Sequence, residues 1–188
     1  MIHQENLVPE KPIYNPTYVK ELFNSMSHSY ERMNFIFSFG FTQIWRKSMI
    51  NCLVKHPIHD KLNIIDLMTG MGETWSLTHK FFPNSSISGL DISDGMLNKA
   101  EKKNKLLFEN KIDLITQDVL KNNIPSNTYD IVICAFGLKT FNSNQISILA
   151  SQVRRILKPG GKFSFVEISN PRNFVLRAFY KLYLGKIT

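Results

Sequence analysis

Nowhere in the 188 residues do about 18 uncharged apolar residues run together, so no membrane-spanning helix is expected. Met1 to Lys20 also lacks the apolar centre of a signal peptide, and the location this implies is cytoplasmic, with attachment to the face of the inner membrane as the alternative. Cysteine is scarce: Cys52 and Cys134 are the two in the chain, far apart and without the spacing of a metal site. One lies inside an apolar run, so buried free thiols are expected rather than a disulfide, and no metal is expected. There is no internal repeat and no low-complexity tract, which excludes a solenoid. Charged residues make up 20% of the chain and hydrophobic ones 43%, ordinary values for one globular domain of this length.

Charge of one sign is in short supply at the C-terminal end. From Arg154 to Thr188 there are eight basic residues against the single acid Glu167, so this segment holds nearly all of the net +8. A nucleic-acid partner would call for a basic surface spread over the fold, and none is expected. Arg172, Arg177, Lys181 and Lys186 alternate with Phe174, Leu176, Phe179, Tyr180 and Leu182. That pattern suits either an amphipathic helix on an anionic membrane surface or a helix packed on the domain with its charges solvated.

The most informative stretch is Asn63-Ile64-Ile65-Asp66-Leu67-Met68-Thr69-Gly70-Met71-Gly72-Glu73. Ile64 to Met68 has the β-branched character of a buried parallel strand, and the glycines that follow allow a tight turn into a helix. A second strand ends at Leu90-Asp91, where a carboxylate is placed to accept hydrogen bonds from both hydroxyls of a ribose. Strand, glycine turn, helix, strand and acid make one βαβ unit that binds a nucleotide-type cofactor. The turn lacks the third glycine of the dinucleotide fingerprint, and Glu73 at the helix start would repel a pyrophosphate, so NAD is disfavoured. S-adenosylmethionine needs the same ribose-binding acid, carries no phosphate, and its sulfonium and ammonium groups tolerate Glu73. A tight turn with no ligand is the plain alternative.

The rest of the chain continues the alternation. Helices are expected over Thr17 to Ser29 and over Thr42 to Lys55, the second capped by Thr42 and burying Ile44, Trp45, Met49 and Leu53. Further helices are read at Glu73 to Phe82, from a Ser93 cap to about Leu106, and from Ser143 to Leu157. Strands are read at Ser86 to Leu90, Lys111 to Thr116, Tyr129 to Ala135 and Lys162 to Ile168, the last after the helix-breaking Lys158-Pro159-Gly160-Gly161. Strands separated by helices demand right-handed crossovers and a mainly parallel sheet. Its ligand edge would be lined by Gly70 to Gly72, Asp91, Asp118 and Ala135 to Leu138, which follow the first four strands.

These residues resemble the class I S-adenosylmethionine methyltransferases, and more closely the ubiquinone/menaquinone biosynthesis C-methyltransferases. The resemblance runs from about Phe23 to Pro171. Phe23-x6-Tyr30-x2-Met33-Asn34, Ser38-Phe39-Gly40 and Trp45-Arg46 are similar to that family's N-terminal signature. Leu90-Asp91-Ile92-Ser93-x2-Met96-Leu97, Tyr129-Asp130-x4-Ala135-Phe136-Gly137-Leu138 and Arg155-Ile156-Leu157-Lys158-Pro159-Gly160-Gly161 extend it. The post-strand acid and the Lys-Pro-Gly-Gly turn identify only the superfamily; the Met-Asn, Ser-Phe-Gly, Trp-Arg and Phe-Gly-Leu elements are narrower.

The resemblance implies a single α/β, Rossmann-like methyltransferase domain over 17–171. Within it a helical lid would span 17–56 and a cofactor-binding core 62–168, with a loose arm at 1–16 and a basic amphipathic helix at 172–188. It implies that Gly70, Met71 and Gly72 border the methionyl part of S-adenosylmethionine, that Asp91 and Ile92 hold the ribose end, that Asp118 and Val119 meet the adenine, and that Ala135 lies beside the sulfonium. Tyr30, Met33, Asn34 and Phe39 would form part of a lid or, equally, plain core. The activity implied is methyl transfer to a ring carbon of a quinol precursor, with a prenylated substrate accounting for any membrane contact; a homodimer is held open. His28, Tyr30 and Lys139 are the candidates for activating the acceptor phenol.

Three departures from the family pattern stand out. Its Gly-Gly-Thr-Gly-Asp turn is here Thr69-Gly70-Met71-Gly72-Glu73, and its Phe-Gly-Leu-Arg-Asn is Phe136-Gly137-Leu138-Lys139-Thr140, which exchanges a forked guanidinium for a point charge. The chain also stops soon after the fifth strand, so the family's acidic stretch and two closing strands are expected to be missing and the edge beside the fifth strand unpaired. The alternatives that remain are a methyltransferase on another small molecule and a catalytically degenerate binding or scaffold domain.

Overall fold

The structure is a computed structural model that describes residues 12–26, 41–54 and 61–168. The elements in chain order are α1 (Pro16–Met26), α2 (Phe41–Val54), β1 (Asn63–Leu67), α3 (Trp75–Phe81), β2 (Ser86–Asp91), α4 (Asp94–Leu107), β3 (Asp113–Thr116), β4 (Tyr129–Ala135), α5 (Ser143–Ile156) and β5 (Leu157–Val166). Single 3-10 turns occur at Pro12–Tyr14, Val119–Lys121 and Leu138–Thr140.

All the strand pairs among the described residues are parallel, in the order β3-β2-β1-β4-β5. The order in which strands are added switches sides between β1 and β4, where Ile64 pairs with Ile131 and Asp66 with Ile133. Alternation along each strand sends side chains to opposite layers. Ile64, Ile131 and Ile133 pack with Met49, Ile50 and Leu53 of α2, and Ile87 of β2 packs with Trp75 of α3 and Leu97 of α4. On the other layer Ile65, Leu67, Val132 and Cys134 meet Leu149, Val153 and Ile156 of α5. A sheet covered on both faces explains the nearly continuous apolar reading of β1 and β4.

Local signals account for the helix boundaries. The Ser93 hydroxyl accepts a 3.1 Å hydrogen bond from the Met96 amide, and Asn142 with Gln145 forms a reciprocal capping box at the start of α5. Two expectations for α2 need correction. The helix begins at Phe41, so Thr42 lies inside its first turn, and Ile44 and Trp45 are exposed. The buried stripe is instead Thr42, Arg46, Met49, Ile50 and Leu53, at the spacing of one helix face. Cys134 is buried and Cys52 exposed, both free, so only one of the two thiols is interior as expected.

The fifth strand also starts earlier than expected. Leu157 pairs with Tyr129, the Pro159-Gly160 segment bulges out with Gly160 at φ +79°, and regular pairing resumes at Lys162 opposite Ile131. Residues 1–11 of the expected arm and the basic segment 172–188 lie outside the described residues. Residues 12–16 are held: the Tyr14 carbonyl accepts a 2.8 Å bond from Gln145 of α5. No helix among the described residues is long and apolar enough to cross a membrane.

Candidate cofactor and acceptor site

β1 ends in a bend made by alternating residues of unusual backbone. Met68 (φ 54°), Gly70 (φ 57°) and Gly72 (φ 75°) are all left-handed, a conformation that costs a side-chain-bearing residue such as Met68 roughly 1–2 kcal/mol. Phe136, just past β4, adopts φ 65° as well. The two bends nest, because a methyl at Gly137 would lie 2.7 Å from the Met68 sulfur. At Gly72 a methyl would lie 2.4 Å from the Trp75 ring, which is why that turn position is glycine. Trp75 is fully buried and its indole N–H donates to Thr69 Oγ1 at 2.9 Å.

Asp66 forms the centre of this corner. Its carboxylate accepts 2.6 Å from the Thr69 hydroxyl and also from the Thr74 hydroxyl, with almost no exposure to water. Burial pushes its pKa up to about 7, against the two hydroxyl bonds, which favour the charged form. Asp91 closes the opposite side. Oδ2 accepts from the Gly70 amide at 2.8 Å and Oδ1 from the Ser93 amide at 2.9 Å, and burial lifts its pKa to about 6. Glu73 turns back over the bend, accepting from the Met71 amide at 3.1 Å.

A cleft open to solvent lies beyond the carboxyl ends of the strands. Its floor is Asp66, Met68, Thr69, Gly70, Glu73 and Thr74; Asp91, Ile92, Gln117, Asp118 and Val119 line one end, and Ala135, Phe136 and Gly137 the other. Its roof is more apolar: Tyr14, Val19 and Phe23 from the N-terminal elements, and Phe141 before α5. The lining matches a pocket for a small organic ligand, with few polar groups placed on a mostly apolar wall.

Of the residues singled out from the sequence, Gly70, Asp91, Ile92, Asp118, Val119 and Ala135 come together on this cleft. Met71 lies behind the wall with 3% exposure, and Gly72 is buried against Trp75, its carbonyl accepting from Lys103 at 2.8 Å. Asp118 turns one carboxylate oxygen to the Leu120 amide at 2.9 Å. Lys139 is exposed on a turn whose neighbours Gly137 and Thr140 line the cleft; its own amide donates to Glu167 at 3.2 Å. His28, Tyr30, Met33, Asn34 and Phe39 lie outside the described residues.

Several lining residues have no role in the sequence reading, Asp66, Arg46 and Tyr14 among them. Asp66 reads there as one more strand residue. Arg46 reads as part of a family signature, yet a lone cation on the buried stripe of α2 is itself a signal. Tyr14 lies in the stretch expected to be a loose arm.

The profile of the ubiE/COQ5 methyltransferase family matches residues 12–188. The chain belongs to this family. Among curated members it is 29% identical over 174 residues to the demethylmenaquinone methyltransferase of Lactococcus lactis, covering 92% of this chain and 67% of that one. It is 30% identical over 172 residues to the ubiquinone/menaquinone biosynthesis C-methyltransferase UbiE of Shewanella sediminis, covering 90% and 66%. The chain thus spans about two thirds of the length of these ubiE/COQ5 relatives. The fold is that of the Rossmann-like class I methyltransferases. It superposes on phosphoethanolamine N-methyltransferase 1 of Haemonchus contortus with a TM-score of 0.63 at 13% identity, over 81% of this chain and 32% of that one.

Proposed function

We propose that this ubiE/COQ5 family member binds S-adenosylmethionine in the cleft and transfers its methyl group to a ring carbon of a quinol precursor. The observation that carries the reading is Asp91: both carboxylate oxygens are fixed by backbone N–H groups, and the residue lines a cleft also lined by Asp66 and Glu73. Four lining acids, Asp66, Glu73, Asp91 and Asp118, suit a ligand that carries two cationic centres and whose sugar offers two hydroxyls. The acceptor assignment draws on the relatives, which are named for demethylmenaquinone and for ubiquinone/menaquinone biosynthesis.

When bound, S-adenosylmethionine supplies a methyl already activated by positive sulfur, so the protein's task is to align donor and acceptor and keep water out. Asp91 fixes the ribose, Ile92, Asp118 and Val119 enclose the base, and Ala135 with Phe136 borders the reacting end. Tyr14, Val19, Phe23 and Phe141 receive a flat, apolar ring. Activation of its phenol falls to His28, Tyr30 or Lys139, directly or through water. For a prenylated acceptor, segment 172–188 meets an anionic membrane surface; undiminished liposome association of a chain lacking it would refute that part.

Calorimetry with S-adenosylmethionine tests the cofactor half, micromolar binding being the expected result. Mass spectrometry of the quinone pool from cells lacking the protein tests the acceptor half, with accumulation of a demethylated precursor expected. An unchanged pool in a strain whose protein binds the cofactor leaves the enzyme on another small acceptor.

A further inference from the structure

Arg46 is 5% exposed, lines the cleft, and its Nε has no hydrogen-bond partner among the described residues. Its guanidinium carbon sits 5.3 Å above the Phe136 ring. A buried N–H left unsatisfied is costly, and a guanidinium held in an apolar setting more so, unless an acceptor meets it. The nearby acid does not fill that role: Asp66 feels the Arg46 charge but accepts no hydrogen bond from Arg46 Nε, and its Oδ2 already accepts from the Thr69 and Thr74 hydroxyls. The fork of donors therefore suits an anionic oxygen that enters with a ligand.

Building on the cofactor reading above, we propose that Arg46 binds the α-carboxylate of the methionyl group. Arg46 meets the cleft beside Phe136, next to Ala135, while Asp91 and Asp118 mark its nucleoside end; Glu73 and Asp66 lie between. An amino-acid zwitterion laid along this line puts its ammonium near the two acids and its carboxylate near the buried Arg46. Reversing it would set carboxylate against carboxylate. A phenolate oxygen of the acceptor offers the same chemistry, so the test must separate the two sources.

The test compares S-adenosylhomocysteine with S-adenosyl-3-thiopropylamine, which lacks only the carboxylate, by calorimetry on the full chain. The native protein is expected to favour the first by about tenfold to a hundredfold, the scale of a charge-assisted hydrogen bond. Arg46→Leu is expected to erase that preference and leave binding of the amine unchanged; Arg46→Lys keeps part of it, and decides the matter if the leucine variant does not fold. Equal weakening of both ligands, with the ratio preserved, assigns Arg46 a structural role and overturns the proposal. A preserved ratio with a raised KM for the quinol acceptor assigns the guanidinium to the phenolate and overturns it as well. If the native protein binds neither nucleoside, the cofactor reading itself falls; if it binds both equally, only the role of Arg46 falls.

Discussion

The two ends of the cleft are built on different principles. Around the β1 bend three polar groups are each held twice: Asp66 by two hydroxyls, Asp91 by two amides, Thr69 by Trp75 and Asp66. Around Phe141 and the N-terminal elements, the wall is half-buried and apolar, and the polar contact fixing Tyr14 is its backbone bond to Gln145. On the proposed reading, a cofactor that carries fixed charges suits the first construction, since misplacing a fixed charge is costly. On the same reading, a ring-shaped acceptor suits the second, because apolar contact tolerates variation in shape.

The sharpest way to break that contrast is to remove Trp75. Its ring contacts Gly72, packs edge-on to Phe108 at 6.1 Å, and anchors Thr69, so Trp75→Ala should lower stability by about 3–5 kcal/mol in urea denaturation. Phe141→Ala, on the looser wall, should cost under about half of that. Equal losses would mean that the two ends are equally rigid.

Next in size is Asp91, the acid proposed to hold the ribose. Asp91→Asn keeps the volume but leaves one of the Gly70 and Ser93 amides facing an N–H₂ group instead of an oxygen. S-adenosylmethionine affinity should fall by about tenfold to a hundredfold in calorimetry, with quinol KM little changed. A variant that binds the cofactor as the native protein does would remove Asp91 from the site.

The unequal legibility of the two ends follows from the same contrast. Glycines at forced backbone angles, a serine cap and an acid after an apolar strand are local rules, and Gly70, Ser93 and Asp91 obey them in one dimension. The fold class follows because alternating strands and helices admit few topologies. Arg46, Tyr14 and Phe141 owe their positions to packing between segments far apart in sequence, as when Gln145 reaches Tyr14. In α2, periodicity located the helix, but the choice of Ile44 and Trp45 as its inner face failed because hydrophobicity alone fixed the phase; Arg46 and Thr42 lie inside instead. At β5 the Pro-Gly-Gly segment reads as a break, and a bulge lets the strand tolerate it.

Proton linkage refines the comparison further. Asp66, at about 7, and Asp91, at about 6, both lie above the ordinary carboxylate value, so the folded chain holds these protons more tightly than the unfolded one. Stability from these groups is therefore greatest near pH 4 and declines as pH rises toward 7. A cationic ligand favours their ionised forms, so its binding should strengthen by about tenfold between pH 5 and 8 and release protons, measurable by calorimetry in buffers of different ionisation enthalpy. Asp66→Asn should flatten the upper part of both profiles.

The smallest expected effect tests the opposite end. Lys139 stands where the family carries an arginine, and its side chain is exposed while its backbone is tied to Glu167. A solvated ammonium on a flexible stem contributes little to a ligand it does not enclose. Lys139→Ala should change S-adenosylmethionine affinity by less than about threefold, with any effect confined to turnover of the acceptor. If Lys139→Arg instead raises that turnover, the forked donor geometry is what the acceptor end lacks. If neither variant alters turnover, phenol activation belongs to His28 or Tyr30.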